Sequence, residues 1–549
     1  MGKYEKEIKA YALRNAVEFG KADASKILPK LFQHGLLKEE IKEVMPEIVQ
    51  IVKEVNKFSE QERKKLLEEF KDSIKIREEK DKGLAELPGI EKIKKLVFRA
   101  APFPSGALHL GNAKTFMLNY LYAEKYNGKL FLVMDDTIGS AEKPINKESY
   151  KLIEDAFKWL GITYTGKIIY KSDRLKTYYE YAGKLIEREK AYVCHCYAEE
   201  LRKLRAEGIE CGCRVFPKRI QLARWKQMFK MKEGEATLRI KTDMLHPNPA
   251  FRDRVLFKIS DREHPRTGKK YSVWPTLEMS WAIDDYLLKI THIIRGNDLV
   301  IESEMEKYIW NIFKWKEPEI IHTGMVNIEG AKLSKSKAQK EVASGEYIGW
   351  DDPRTWSIQS LKRRGIKPEA IKEFIKEIGL NKQDITVPID NLYSINRKII
   401  DKDADRYSFI INPIKLNISN KPNWNEVKVP IHPDKDKKRN IKLSDIFVSK
   451  ADFNAFKGKE VRLLHLYNIK LNKNSEMTSI DNKELPRINW VSDNAIAKIL
   501  MPNGVWLEGI TEADVADLKK GSVVQFERFG FAKLDNAKDS TYEFWFAHR

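Results

Sequence analysis

Cysteine is scarce in this chain: four occur in 549 residues, at Cys194, Cys196, Cys211 and Cys213. So few thiols exclude a disulfide-stapled secreted scaffold and fit a reducing compartment. No stretch approaches the roughly 20 apolar residues that a membrane-spanning helix needs. The first thirty residues lack the continuous apolar core of a secretory signal. The expected location is cytoplasmic, with no membrane partner. Acidic residues are in deficit as well: 80 Asp and Glu stand against 100 Lys and Arg, a net charge of +20. A one-sided excess of that size fits a polyanionic partner such as nucleic acid. The alternative is the joint abundance of Lys and Glu found in heat-adapted proteins. Internal repeats and low-complexity tracts are missing, and the basic run KDKKR at 435–439 reads equally as a solvated loop or an RNA contact.

A chain this long should hold several domains. Residues 1 to about 92 read as helices. Ile41, Val44, Met45, Ile48, Val52 and Val55 recur at three- and four-residue intervals, and Ser59 with Glu62 forms a capping-box pattern. No catalytic set is visible there, so a helical appendage is expected. From Lys94 the pattern changes. KKLVFRAAP reads as a strand entering a Pro/Gly turn, NAKTFMLNYLYAEKY as a helix, and KLFLVMDD as a second strand, which makes a βαβ unit on a parallel sheet. YLLKITHIIRG at 286–296 reads as a further strand, separated from the first by a long irregular segment. An inserted domain is therefore expected to interrupt the sheet. Helical patterning returns from 345 to about 395. The last 150 residues read as many short strands, a barrel or sandwich, with Asn503-Gly504 predicting a type I′ hairpin.

Two segments carry most of the chemistry. In PFPSGALHLGN, residues 102–112, Pro102 and Pro104 stiffen the chain leaving the strand, and Gly106 permits a tight turn. Ser105 lies in the same turn. His109 and Gly111 stand where the next helix begins, where backbone N–H groups and the helix dipole favour a phosphate. A histidine there can donate to a phosphate in the transition state. About 220 residues later, AKLSKSK at 331–337 offers Lys332 and Lys335 as cations and Ser334 and Ser336 as donors, a second phosphate-binding set. Alone, either segment is weak: a His–x–Gly is mostly structural, and a Ser/Lys cluster is mostly a solvated loop. Together on two halves of an interrupted sheet they are specific.

This pair resembles the HIGH and KMSKS signatures of class I aminoacyl-tRNA synthetases. FRAAPFPSGALHLGNAKT, MDDT at 134–137, SWAIDDYLLKITHIIRGND at 280–298 and DDPRTWSIQSLKRRGIKPEAIKEFI narrow the resemblance to the glutamyl/glutaminyl branch. The β-rich C-terminus and helical N-terminal region are similar to the archaeal type of glutamyl-tRNA synthetase. The resemblance covers essentially the whole chain and implies a multidomain α/β protein. Its parts are a helical N-terminal extension (1–92), the first half of an interrupted Rossmann-like catalytic domain (93–194) and an inserted acceptor-stem-binding domain (195–280). The second catalytic half with the KMSKS-like loop (281–344), a helical connector (345–395) and a β-barrel anticodon-binding domain (396–549) follow. The insertion is rich in Arg and Lys, which suits phosphate contacts.

The activity implied is activation of L-glutamate with ATP and its magnesium ion, followed by transfer to tRNA(Glu), with tRNA(Gln) left open as a second acceptor. By resemblance His109 and Lys335 are catalytic, and ATP is held by Pro102, Pro104, Ser105, Gly106, His109, Gly111, Asn112, Lys332, Ser334, Lys335 and Ser336. Glutamate is held by Arg99 at its side-chain carboxylate, Ala101, Asp135 at its ammonium and Arg295 at its α-carboxylate. Arginine suits these places because its planar fork holds a carboxylate by two parallel bonds. Four departures from the family pattern stand out: Asn112 for the second histidine of HIGH, Leu333 for the methionine of KMSKS, Phe103 between the prolines, and Leu277 for a pocket tyrosine. The cysteines, spaced C-x-C, fourteen residues, C-x-C, are either four thiolate ligands of a structural zinc or inert thiols.

Three other readings compete. Glutaminyl-tRNA synthetases usually carry Pro-Pro-Glu-Pro before HIGH, where this chain has Ala-Ala-Pro-Phe-Pro. A non-catalytic tRNA-binding relative is disfavoured by the intact His109, Ser334 and Lys335. A nucleotidyltransferase is disfavoured by the RNA-sized insertion and long C-terminal region.

Overall fold

Apolar residues at helical spacing bury one face of a helix over Ile41–Val55, with Ile48, Ile51, Val52 and Val55 inside and Ile41, Val44 and Met45 partly covered. In the computed structural model, which describes residues 3–70, 73–74, 83–329 and 335–549, this helix is α3 of a four-helix unit. Its companions are α1 (Glu5–Phe19), α2 (Ala24–Leu31) and α4 (Glu60–Glu69). The capping box is formed: Ser59 Oγ accepts from the Glu62 N–H at 3.3 Å, and the Ser59 N–H donates to Glu62 Oε2 at 2.7 Å. The chain divides into this unit, Met1–Gly83, and a second, Leu84–Arg549. Among the described residues no helix is long and apolar enough to cross a membrane.

The second unit begins with the βαβ pattern. Strand β1 (Val97–Ala100) leads through the Pro/Gly turn to helix α5 (Leu110–Lys125) and strand β2 (Lys129–Met134), which pairs in parallel with β1. Helix α6 (Lys147–Trp159) then leads to β3 (Ile169–Tyr170), parallel to β2. After helix α7 (Leu175–Glu187) the chain leaves this sheet. An antiparallel four-stranded sheet follows in simple order: β4 (Ala191–Cys194), β5 (Thr237–Ile240), β6 (Val255–Ile259) and β7 (Val273–Pro275). Helices α8 (Ala198–Glu207) and α9 (Lys218–Met228) fill the long β4–β5 connection.

The first sheet resumes after helix α10 (Leu277–Leu287). Strand β8 (His292–Gly296) starts beside β1: the Thr291 N–H donates to the Val97 carbonyl at 2.9 Å, and the Val97 N–H donates to Thr291 Oγ1 at 2.8 Å. Helix α11 (Val300–Phe313) leads to strand β9 (Glu319–Thr323), which pairs in parallel with β8; this two-stranded sheet adjoins β1 of the three-stranded one, giving the spatial order β3-β2-β1-β8-β9. This is the doubly wound arrangement, and its switch point lies between β1 and β8, where ligands bind beyond the strand ends. The strand expected over 286–296 is shorter than its apolar run suggests. Helix α10 extends through Leu287, and β-structure starts only at His292. Tyr286 and Leu287 are the last turn of a helix, and hydrophobicity alone does not separate such a turn from a buried strand.

Strand β10 (Val326–Glu329) comes next, followed by helices α12 (Lys335–Ala343), α13 (Ile358–Arg364) and α14 (Pro368–Ile378). Strand β11 (Ile385–Pro388) then pairs in parallel with β10 and leads into α15 (Ile389–Ile400). Beyond it lie sheets of seven and six strands and a two-stranded ribbon, Glu426–Pro430 with Lys438–Lys442. The edges of the seven-stranded sheet, Asp405–Tyr407 and Phe409–Ile411, are consecutive in the chain and separated by Ser408 alone, so this sheet curls nearly shut. The six-stranded sheet closes likewise where Phe447 bridges Val491, just after its edge strand Arg487–Ile488. The expected hairpin forms between Asn494–Leu500 and Trp506–Glu512, but its turn is not type I′. Gly504 alone has positive φ (+84°), and the Gly504 N–H donates to the Met501 carbonyl at 2.9 Å. Pro502 locks its φ negative, which excludes I′ and leaves a type I turn followed by a left-handed glycine.

Candidate active site

Backbone chemistry sets the first wall of the cleft. His109 is the N-cap of α5, with extended backbone (φ −99°, ψ 168°), and its Nδ1 accepts from the Asn112 N–H at 3.3 Å. An accepting Nδ1 leaves the ring proton on Nε2, which is then a donor. Gly111 is closely packed: a Cβ there would lie 3.2 Å from the His109 ring and 3.3 Å from the Val326 carbonyl oxygen. Gly106 has a similar reason, different from the tight turn expected of it. Its Cβ would lie 2.4 Å from Cη2 of the buried Trp350. The turn is further pinned by the Pro102 carbonyl, which accepts from the Asp135 N–H, and the Pro104 carbonyl, which accepts from the Asn146 N–H. Phe103 leans on Gly139, where a Cβ would meet its ring at 2.8 Å.

A cleft of about 340 Å³ opens at the switch point, lined by Arg99, Ala101, His109, Gly111, Asn112 and Arg295 among others. Pro102, Pro104, Ser105, Gly106 and Asp135 are not among its lining residues; the first four build the turn that presents His109. Lys332 and Ser334 lie outside the described residues, as do the side chains of Lys335 and Ser336, which open α12.

Around the cleft three buried cations each meet a buried acid. Arg99 Nε and Nη2 donate to Asp285 at 2.5 and 2.9 Å, and Arg295 Nη1 and Nη2 donate to Glu306 at 2.9 and 2.8 Å. Lys171 Nζ lies 2.9 Å from Asp135 Oδ1 and donates to Ser280 Oγ at 2.8 Å. All three cations gather over the ring of Trp281, Arg99 and Arg295 at 4.5 Å and Lys171 at 4.8 Å from its centre. Burial pushes the Glu306 carboxyl up to about 7 against the pull of Arg295, and burial lowers Lys171 against the pull of Asp135. Arg295 Nε remains buried without a partner.

Sequence reasoning named Arg99, Asp135 and Arg295 but missed Trp281, Glu306 and Lys171. One signal was available for part of this set. Trp281 and Asp285 stand four apart on α10, hence on one face of a helix. Leu277, half-buried at the start of α10, does not line the cleft.

At the end of β4 and in the connection after it, the four cysteine sulfurs lie within 4.8 Å of one another, with Cys194 3.6 Å from Cys211 and Cys196 4.0 Å from Cys213. Tetrahedral zinc with Zn–S bonds of about 2.3 Å needs sulfurs about 3.8 Å apart, so the set fits that ion. Arg239 Nη1 stands 3.9 Å from both Cys194 and Cys211, a cation beside the sulfurs. Exposed Lys218, Arg219, Lys226 and Lys230 crowd helix α9 and the residues just after it.

Comparison with known proteins shows the family. The family described as "tRNA synthetases class I (E and Q), catalytic domain" matches residues 95–402. Two families described as "tRNA synthetases class I (E and Q), anti-codon binding domain" match residues 404–488 and 469–535. The glutamate–tRNA ligase of Pyrococcus furiosus is 42% identical, covering 99% of this chain and 100% of its own length. That of Methanocaldococcus jannaschii is 39% identical, again covering 99% and 100%. With the signature helix, the split sheet and the barrels in one chain, the protein belongs to the class I tRNA synthetases of the E and Q family.

Proposed function

We propose that the protein is a glutamate–tRNA ligase, which joins L-glutamate to the 3′ end of tRNA at the expense of ATP. The observation that carries this reading is the convergence of His109, Arg99 and Arg295 on one cleft, in a chain whose full-length relatives are glutamate–tRNA ligases. Glutamate's α-carboxylate attacks the α-phosphate of ATP in line, forming glutamyl-adenylate and releasing pyrophosphate. Such a step needs positioning and charge stabilisation more than a base. The Nε2–H of His109 and the first-turn N–H groups of α5 serve the phosphates. ATP enters as its magnesium complex. Lys332, Ser334, Lys335 and Ser336 follow the leaving pyrophosphate.

Arg99 takes the side-chain carboxylate and Arg295 the α-carboxylate through N–H groups not engaged by Asp285 and Glu306. Asp135, paired with Lys171, serves the ammonium. Each of the three cations is matched by one acid, so glutamate's carboxylates are met by directed N–H donors more than by a large surplus of charge. The basic helices of the insertion grip the acceptor stem, and the closed C-terminal sheets read the anticodon. Cys194, Cys196, Cys211 and Cys213 hold one structural zinc. Metal analysis of purified protein should give about one equivalent of zinc per chain, and well under that amount would end the idea.

The test is tRNA-dependent pyrophosphate exchange with each amino acid. Exchange with glutamate and not glutamine is expected. Exchange with glutamine alone would overturn the assignment, and exchange with neither would favour a tRNA-binding module.

A further inference from the structure

Lys114 stands about one turn and a half beyond His109 on α5, yet the residue is 2% exposed. An ammonium so deeply buried needs its three N–H bonds satisfied. They reach two segments distant in sequence. Nζ donates to Thr323 Oγ1 at 2.8 Å and to the Gly324 carbonyl at 2.9 Å at the β9–β10 turn, and to Asn381 Oδ1 in the loop before β11. Burial lowers its pKa to about 8 even with Asp384 opposing, so the placement is held against desolvation.

The two segments also bind each other. Thr323 Oγ1 donates to the Asn381 carbonyl at 3.0 Å, the Gly324 N–H to the same carbonyl at 2.7 Å, and the Met325 N–H to Asp384 Oδ1 at 2.7 Å. Gly324 admits no side chain, since its Cβ would fall 2.0 Å from the Gln383 carbonyl oxygen. The turn is thus a rigid piece, and Lys114 is what ties it to α5. Residues 323–327 of that piece line the cleft together with His109, Gly111, Asn112 and Lys114 itself. Val326 carries its carbonyl against Gly111, in the same first helical turn.

We infer that Lys114 is a positioning residue for the nucleotide: it sets the spacing between the His109 end of α5 and the wall formed by residues 323–327. Its ammonium is engaged by Thr323, Gly324 and Asn381, so it acts through that wall. The inference rests on the reading of this cleft as the ATP site. Without the ammonium, a hydroxyl, a carbonyl and an amide oxygen would be buried facing an apolar chain, and the wall would shift to recover partners. Glutamate, held by arginines backed on α10 and α11, would be little affected.

The experiment compares the full-length protein with Lys114→Met, Lys114→Arg and Thr323→Val. Calorimetry measures binding of an α,β-methylene ATP analogue, and exchange kinetics give KM for ATP, KM for glutamate and kcat. In Lys114→Met, analogue affinity should fall and KM for ATP rise about tenfold or more, with KM for glutamate nearly unchanged. Lys114→Arg should recover most of the loss, and Thr323→Val should move the same way by less. Unchanged analogue binding in folded Lys114→Met, a parallel rise in both KM values, or no rescue by arginine would each overturn the inference. Should Lys114→Met fail to fold, unchanged analogue binding in Thr323→Val overturns it instead. If the unmodified protein binds the analogue but exchanges with neither amino acid, the ligase reading fails while the binding comparison still decides the role of Lys114. If it binds no analogue, both fall.

Discussion

At the scale of single residues, the centre of the molecule is a set of charges that exist in pairs because they are buried. Arg99 is 5% exposed and Asp285 1%, and neither would tolerate the other's loss. Removing one partner of a buried ion pair costs about 3–5 kcal/mol, whereas replacing both with apolar residues is often neutral. Stability and function should therefore separate here. Arg99→Ala should destabilise the protein by about that amount and abolish glutamate-dependent exchange. The double change Arg99→Met with Asp285→Leu should regain most of the stability and none of the exchange. Denaturant unfolding and exchange on the same preparations test this. A double variant that recovers activity would show that Arg99 serves only to neutralise Asp285.

At the scale of elements, the turn between β1 and α5 decides where His109 points. Trp350, from the segment after α12, fills the space above Gly106 and packs with Ala107 and Ala338. Gly106→Ala should therefore cost about 1–3 kcal/mol through overpacking and lower exchange activity. Adding Trp350→Leu should restore part of the melting temperature, and a melting temperature unchanged by Gly106→Ala would refute the contact. How far such elements can be read from sequence differs from one to the next. Local patterns were legible: the α3 stripe, the capping box at Ser59, the β1–α5–β2 unit, the interruption of the sheet, and many short strands at the end. Where one residue overrides a local rule, as Pro502 does in the Asn503-Gly504 hairpin or the C-terminal turn of α10 in its apolar run, pattern reading went astray. The candidate site was legible in its motif residues and opaque in their partners. Asp285 lies 186 residues from Arg99, and Lys114 reaches acceptors more than 200 residues away. Side chains brought together only by the closed fold leave no periodicity to detect.

At the scale of the whole second unit, a line of contacts runs from the cleft to the C-terminal sheets. His109 bridges Ser357, the N-cap of α13. At the other end of that helix the buried Arg364 donates to the carbonyls of Phe546 and Ala547, at 3.0 and 2.7 Å. The next residue, His548, ends the last strand (Thr541–His548), is 1% exposed and packs on Tyr393 of α15. Its Nε2 accepts from Asn396 Nδ2 and its Nδ1 faces the Arg549 carbonyl, each at 2.9 Å, so both ring nitrogens are satisfied in the neutral form. Burial pushes its pKa down to about 4, with Arg397 and Arg364 adding to the effect. A histidine whose folded pKa is depressed takes up its proton more readily when unfolded. Its contribution to stability is therefore complete above the unfolded value near 6.5 and is lost as pH falls from there towards 4. Between pH 7 and pH 5 this one group should remove about 2 kcal/mol of stability. His548→Gln should start less stable at neutral pH and lose correspondingly less on acidification. Melting curves of both proteins at pH 7 and pH 5 give the comparison. If the two lose equal stability, the junction between α15 and the last strand does not hold a neutral imidazole, and the acid sensitivity of the second unit lies elsewhere.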